Sequence, residues 1–273
     1  MSDFDPFAAE WVSYAKSSQY TLVEKCLKLS QILEFSSLDI SEYVQKIRSL
    51  EKGLHDHVSD VKNPIYLVSM LNEYMFDMLG FEGDNDDYYN PRNNFLNVVL
   101  DKRSGIPITL SIIYIEIARG IGLELRPVGF PGHFLVKYSE ELILDPFNRG
   151  SLLDIEDLQD ILDATYGEGV EFKPEYLNDI DPEMILIRIL RNLKGSYIES
   201  YSYEKAMHCI NMILGLEPNS PEDIRDKGIV QLRLLQNDLA LISLNRYLEL
   251  SPEAEDADNI LMMIKSIKEK SIQ

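Results

Sequence analysis

Two residues with the types and spacing for chemistry stand in the stretch GFPGHFLVKYSEELILDPFNRG, which runs from Gly129 to Gly150. His133 opens one short apolar run and Asp145 closes the next, the spacing at which an imidazole and an orienting carboxylate lie on neighbouring strands. A carboxylate so placed fixes the tautomer of the ring, which can then take a proton from a nucleophile. Thiol enzymes built on a helix-plus-sheet core add a third part, a cysteine at a helix N-terminus, where the helix dipole lowers its pKa. A plainer reading stands beside this one. His133 is then a partly buried ring satisfied by backbone and by Asp145, and Asp145, before Pro146, starts an Asx-type turn.

The elements that must hold such a pair follow from periodicity. Pro107 suits the first position of a helix and Gly122 its end. Between them Leu110, Ile113, Ile117 and Ile121 make one stripe while Ile112 and Ile115 occupy the other side, so this helix is apolar almost all round and central. The runs LELRPVGF, HFLVKY and ELILDPF then read as short strands of a small antiparallel sheet. Upstream, from about Tyr20 to Leu79, three amphipathic helices are expected, with Leu22, Cys26, Leu29 and Leu33 marking the first stripe. The acidic stretch GDNDDYYNP lacks the glycine and glutamate that a calcium loop requires, and it reads as a solvated turn.

Beyond Asp181 the strand signals stop. Two stretches align at an offset of 34, Ala206 with Ala240, Leu216 with Leu250 and Pro218 with Pro252, which is the period of tetratricopeptide helix pairs. Repeats are expected over 182–216 and 218–250, closed by a polar-faced helix over 254–270. The fold class is therefore α+β followed by an all-α region, divided into 1–180 (helical lead-in plus core) and 181–273 (repeats). Arg191 and Arg225 share the same offset, and Arg188 and Lys194 extend a basic row through IRILRNLKGSY. That row predicts a groove for a protein or peptide partner, acidic or C-terminal, held by bidentate arginine contacts. The competing expectation is that these cations pair with the chain's own carboxylates.

The totals narrow the functional classes. Lys and Arg number 26 against 46 Asp and Glu, a net charge of -20, which repels both nucleic-acid phosphates and anionic lipid. The opening residues show no signal-peptide pattern and no segment reaches the length of a bilayer span, so a cytoplasmic protein is expected. Cys26 and Cys209 sit in apolar helical patterns, and His55 and His57 are two apart rather than four; neither a disulfide nor a metal site nor a cofactor is expected.

The run SGIPITLSIIYIEIARGIGLELRPVGFPGHFLVKY, followed by LILDPF, resembles the transglutaminase-like (papain-like) core of the bacterial SirB-type proteins, in which that core is fused to C-terminal tetratricopeptide repeats. The resemblance runs from roughly Tyr66 to the end. It implies a Cys-His-Asp triad in which His133 and Asp145 are kept and the position of the cysteine, in the triplet Gly105, Ile106, Pro107, holds a residue with no reactive atom. Thr109 and Ser111 lie within a turn of Pro107 and are the only substitutes nearby. The expected function is a non-catalytic scaffold with a degenerate triad, acting through its repeats as a protein-interaction module. The alternative is a hydrolase or acyl-transfer enzyme using His133 and Asp145 with a hydroxyl or a water as nucleophile.

Overall fold

The computed structural model describes residues 6–58 and 63–270. In chain order, α1 (Pro6–Lys16) is followed by α2 (Leu22–Leu33), α3 (Ile40–His55) and α4 (Pro64–Asn72), which runs on into a π-helical turn, Glu73–Met78. A two-residue strand β1 (Glu82–Gly83) and α5 (Leu96–Lys102) precede β2 (Ser104–Gly105) and α6 (Pro107–Arg119). Then come β3 (Arg126–Val128), β4 (Leu135–Ser139), β5 (Leu142–Asp145), β6 (Ser151–Leu153) and α7 (Ile155–Tyr166). Five helices finish the chain: α8 (Pro182–Glu199), α9 (Tyr203–Leu216), α10 (Pro221–Arg233), α11 (Asn237–Leu250) and α12 (Ala257–Lys270).

The chain forms two compact units, Gln19–Leu186 and a second made of Met1–Ser18 with Ile187–Gln273. Residues 1–5 of the opening stretch lie outside the described residues. The expected division at 180/181 is corrected on one point: α1 belongs with the repeats and not with a lead-in to the core. It packs on α9, where Gly215 has no side chain and a Cβ would lie 2.5 Å from Val12 Cγ2. Trp11, beside Val12 on the same helix, has 0% of its surface exposed.

In the core unit each early helix starts where the sequence supplies a cap. The Thr21 hydroxyl accepts the Glu24 N–H at 3.3 Å while the Glu24 carboxylate accepts the Thr21 N–H at 2.8 Å. Asp39 caps α3 and Asn63 caps α4, with Pro64 at the first helical position. The expected three helices are present. Helix α6 is buried from Pro107 to Ala118 on every side, as its all-round apolar pattern requires. Its regular bonding ends at Arg119, three residues short of Gly122, which at φ +70 turns the chain while Leu123 N–H bonds back to Ala118.

The sheet is antiparallel in the order β3-β4-β5-β6. Val128, Leu135 and Ile143 share a face and pack with Leu158, Leu162 and Leu177. The alternate residues Val136 and Leu144 point the other way, the side on which α6 packs on β4. Three of its strands were expected; β6, α7, and the parallel pairing of β1 with β2 were not.

In the second unit the helix pairs α8/α9 and α10/α11 and the closing helix α12 fall where the 34-residue offset places them. Ala206 and Ala240 are fully buried. At Gly228 a Cβ would come within 2.6 Å of Leu244, so the missing side chain lets α10 and α11 approach.

Candidate functional site

Asp145 ends β5 and caps the short 3-10 turn Pro146–Asn148, accepting the N–H groups of Phe147 at 3.0 Å and Asn148 at 3.4 Å on Oδ1. Its Oδ2 accepts the side-chain amide of Asn148 at 2.7 Å and lies 2.9 Å from His133 Nε2. The Asx turn and the His–Asp pair, weighed as alternatives in the sequence, are thus the two ends of one carboxylate. Nε2 bonded to a carboxylate carries the ring proton, which makes Nδ1 the basic atom of the neutral ring.

The loop before β4 sets the imidazole. Gly132 takes φ +73, and His133 N–H bonds to the Phe130 carbonyl at 3.1 Å. Phe147 meets the ring edge-on, centroids 6.1 Å apart, and Tyr88 meets Phe147 in the same way at 5.8 Å. Gly83 makes room for that stack, since a Cβ there would lie 2.7 Å from the Phe147 ring. Because Gly83 also pairs with Gly105, the acidic segment is tied by β1 and β2 to the residues that start α6. The turn expected at 83–91 is there, and its Tyr88 packs on the site.

At the head of α6, Pro107 is buried at the first helical position. Thr109 is two residues on, about 200° around the helix. Its hydroxyl is engaged, accepting Ile106 N–H at 3.2 Å and lying 2.9 Å from the Asn93 carbonyl. Ser111 stands four residues from Pro107, hence on the same face. Its Oγ lies 3.5 Å from the carbonyl of Phe134, the residue after His133. That contact sets the Pro107 face of α6 against the start of β4. Ser111 itself is 0% exposed.

Residues 41–191 match the model of the transglutaminase-like superfamily, and residues 193–265 match the tetratricopeptide repeat. A UPF0162 protein of Xylella fastidiosa is 37% identical over 246 residues, covering 88% of each chain. The chain belongs to the UPF0162 family of the transglutaminase-like superfamily. A Vibrio cholerae UPF0162 protein is 28% identical over 196 residues, 70% of this chain and 72% of its own. F-box only protein 21 of Pongo abelii is 26% identical over 203 residues, 69% of this chain and 30% of that longer one. No solved structure matches this chain.

In this UPF0162 chain cations of the basic row pair with the chain's own carboxylates, the competing expectation for them. Arg191 donates from Nε and a terminal nitrogen to Asp223 Oδ2 at 3.0 and 2.8 Å and reaches Glu217 at 2.8 Å. Lys194 bonds Asp223 Oδ1 at 2.7 Å and Asp226 at 2.6 Å. Arg225 repeats the pattern one helix pair later, to Asp226 at 3.1 Å and Asp256 at 2.9 Å. Each first-helix arginine therefore ties its repeat to the start of the next, and Arg188 lies half-buried on the same helix as Arg191 and Lys194. For Asp223, burial alone would raise the carboxyl pKa, but bonds from Arg191, Lys194 and Ser220 outweigh it and hold it below the usual range.

Neither cysteine is a nucleophile in waiting. Cys26 is pushed up to about 12, first by burial and then by the charge of Glu116, and Cys209 is fully buried. Among the described residues no group of three His, Cys, Asp or Glu side chains could hold a metal ion, and no helix is long and apolar enough to cross a membrane. The residue that sequence reasoning missed is Asn148, three positions after Asp145 in DPFNRG, where an Asx turn brings side chain i+3 back onto the aspartate.

Proposed function

We propose that this chain is a non-catalytic transglutaminase-like scaffold that acts through its tetratricopeptide repeats as a protein-interaction module. The observation that carries the reading is Pro107. It stands on the face of α6 that meets the start of β4, at the helix head where a thiol would give its proton to the His133 base, and it has neither thiol nor hydroxyl. The local hydroxyls do not replace it. Thr109 would have to give up its bond to Ile106 N–H, leaving a buried donor unpaired at a cost of about 1–3 kcal/mol. Ser111 has no surface for a substrate to reach.

One observation favours the second reading, a hydrolase or acyl-transfer enzyme: the 2.9 Å bond between His133 and Asp145 is the arrangement that makes an imidazole a base. The two readings separate on exposure of the full chain to p-nitrophenyl acetate, followed by intact mass and peptide mapping. The scaffold reading expects no acetyl group on Thr109 or Ser111 and a background hydrolysis rate that His133→Ala leaves unchanged. An acetyl adduct on either hydroxyl, or turnover that disappears in His133→Ala, overturns it.

For the repeats the architecture supports binding of another protein, since stacked helix pairs present an extended surface. An acidic or C-terminal peptide in the arginine row would have to displace Asp223, Asp226 or Asp256, exchanging one carboxylate for another with no gain in pairing. The relative in which the matching segment is 30% of a longer chain supports a module that works joined to others.

A further inference from the structure

The sheet of the core unit stops at β6, whose outer side pairs with no strand among the described residues. A strand edge left open presents unpaired N–H and C=O groups in a row, ready to accept one more strand. Leu152, at the middle of β6, points to the same face as Leu144 but past the cover that Leu144 enjoys, and it is 52% exposed. Across from it on α4, Ile65 is 62% exposed. A cavity of about 670 Å³ lies between them, lined also by Val68, Asn72, Glu73 and Asn148, a size in the range of ligand sites.

The floor of this groove is fixed. Asn72 donates to the Gly150 carbonyl at 3.0 Å and accepts the Tyr114 hydroxyl at 2.6 Å. Gly150, at φ +68, is required there because a Cβ would lie 2.0 Å from the Asn72 amide oxygen. Its neighbour Arg149 holds the left-handed conformation without being glycine, at φ 58, a strain that persists where the surroundings hold it. One wall is the π-helical turn, a departure from α geometry common at functional sites, and it supplies two carboxylates. Asp77 is taken by Arg149, whereas Glu73 is exposed and has no ion pair among the described residues. Asn148 joins the groove to the Asp145 carboxylate.

We propose that this groove binds an extended peptide segment of a partner protein. The segment adds a strand to the outer side of β6, lays an aliphatic side chain between Ile65 and Leu152, and places a lysine or arginine against Glu73. The charge complementarity is with the one free carboxylate of the wall, and the open strand edge selects an extended backbone over a helix. The site lies on the core and does not depend on what the repeats bind.

The test uses the full chain and a fluorescein-labelled hexapeptide, Thr-Val-Lys-Leu-Thr-Val, beside its counterpart with glutamate for lysine and an N-methylated version. Fluorescence anisotropy is expected to show the lysine peptide binding at least ~10-fold more tightly than the glutamate peptide, with Glu73→Lys reversing that preference. Leu152→Asp is expected to weaken the lysine peptide ~10-fold or more, and N-methylation to remove binding, since it deletes backbone donors and adds bulk at the strand edge. Ile65→Asp serves as a second disruption should Leu152→Asp lose its circular dichroism signature. Equal binding of the two charged peptides, no binding of either, or binding indifferent to Glu73→Lys and to the aliphatic substitutions overturns the proposal.

Discussion

Asp145 in the core and Asp223 in the repeats are both shut away from solvent, at 1% and 0% exposure, and both carboxylates are fully hydrogen-bonded. Their partners differ in kind. Asp145 is met by two backbone N–H groups, one amide and one imidazole. Asp223 is met by a guanidinium, an ammonium and the Ser220 hydroxyl. Burying a carboxylate costs several kcal/mol in either place, and the two solutions serve different ends. Neutral donors fixed by a tight turn leave the fourth bond to aim a ring, which is what a catalytic site needs. Two cationic side chains from α8, the first helix of the preceding pair, offset the charge and tie one repeat to the next. The first arrangement orients an imidazole; the second joins successive helix pairs.

The comparison can be broken most forcefully at Asp223. Asp223→Ala leaves Lys194, itself 8% exposed, with half its pairing gone, and the stability of the repeat unit is expected to fall by about 3–5 kcal/mol. Trp11, the only tryptophan in the sequence, belongs to that unit, so urea denaturation followed by its fluorescence reads the change directly. In the core, Asp145→Ala removes bonds to a charged acceptor and leaves two turn N–H groups unpaired; a smaller loss of about 2–3 kcal/mol is expected, read by far-UV circular dichroism.

Acid sharpens the contrast without mutation. The folded-state pKa of Asp223 is depressed, so its contribution is fully present above the unfolded value of about 4 and is lost as pH falls through the lower folded value. The urea midpoint reported by Trp11 is therefore expected to drop below pH 4, and Asp223→Asn to flatten that drop. The smallest effect is at Thr109→Val, which strips the buried acceptor of Ile106 N–H; about 1 kcal/mol is expected in a thermal melt.

Much of this was legible in the chain. Pro107, the buried stripe of α6 and the 34-residue offset locate the central helix and the repeats because each is a local rule, one residue or one period deep. Strand β6 escaped because three residues carry no periodicity, and α7 escaped although Asp154 and Asp157 form a capping box before Leu158 and Leu162. Helix α1 shows its spacing in Trp11 and Ala15, but its docking on Gly215 is set two hundred residues away. The charges of Arg191 and Arg225 were plain in the sequence. Their partners were not, because Asp223 and Asp256 lie 32 and 31 residues on and meet them only when successive helix pairs stack.

The central claim is that the site lacks its nucleophile and nothing else, and Pro107→Cys tests it. Titration of thiolate ultraviolet absorbance in that variant reports the new thiol against a silent background, since Cys26 titrates only near about 12 and Cys209 is buried. The account predicts a thiol pKa at least ~1 unit below the ~8.5 of a free cysteine, returning toward it when His133→Ala is added. An ordinary thiol that is indifferent to His133→Ala would contradict the account.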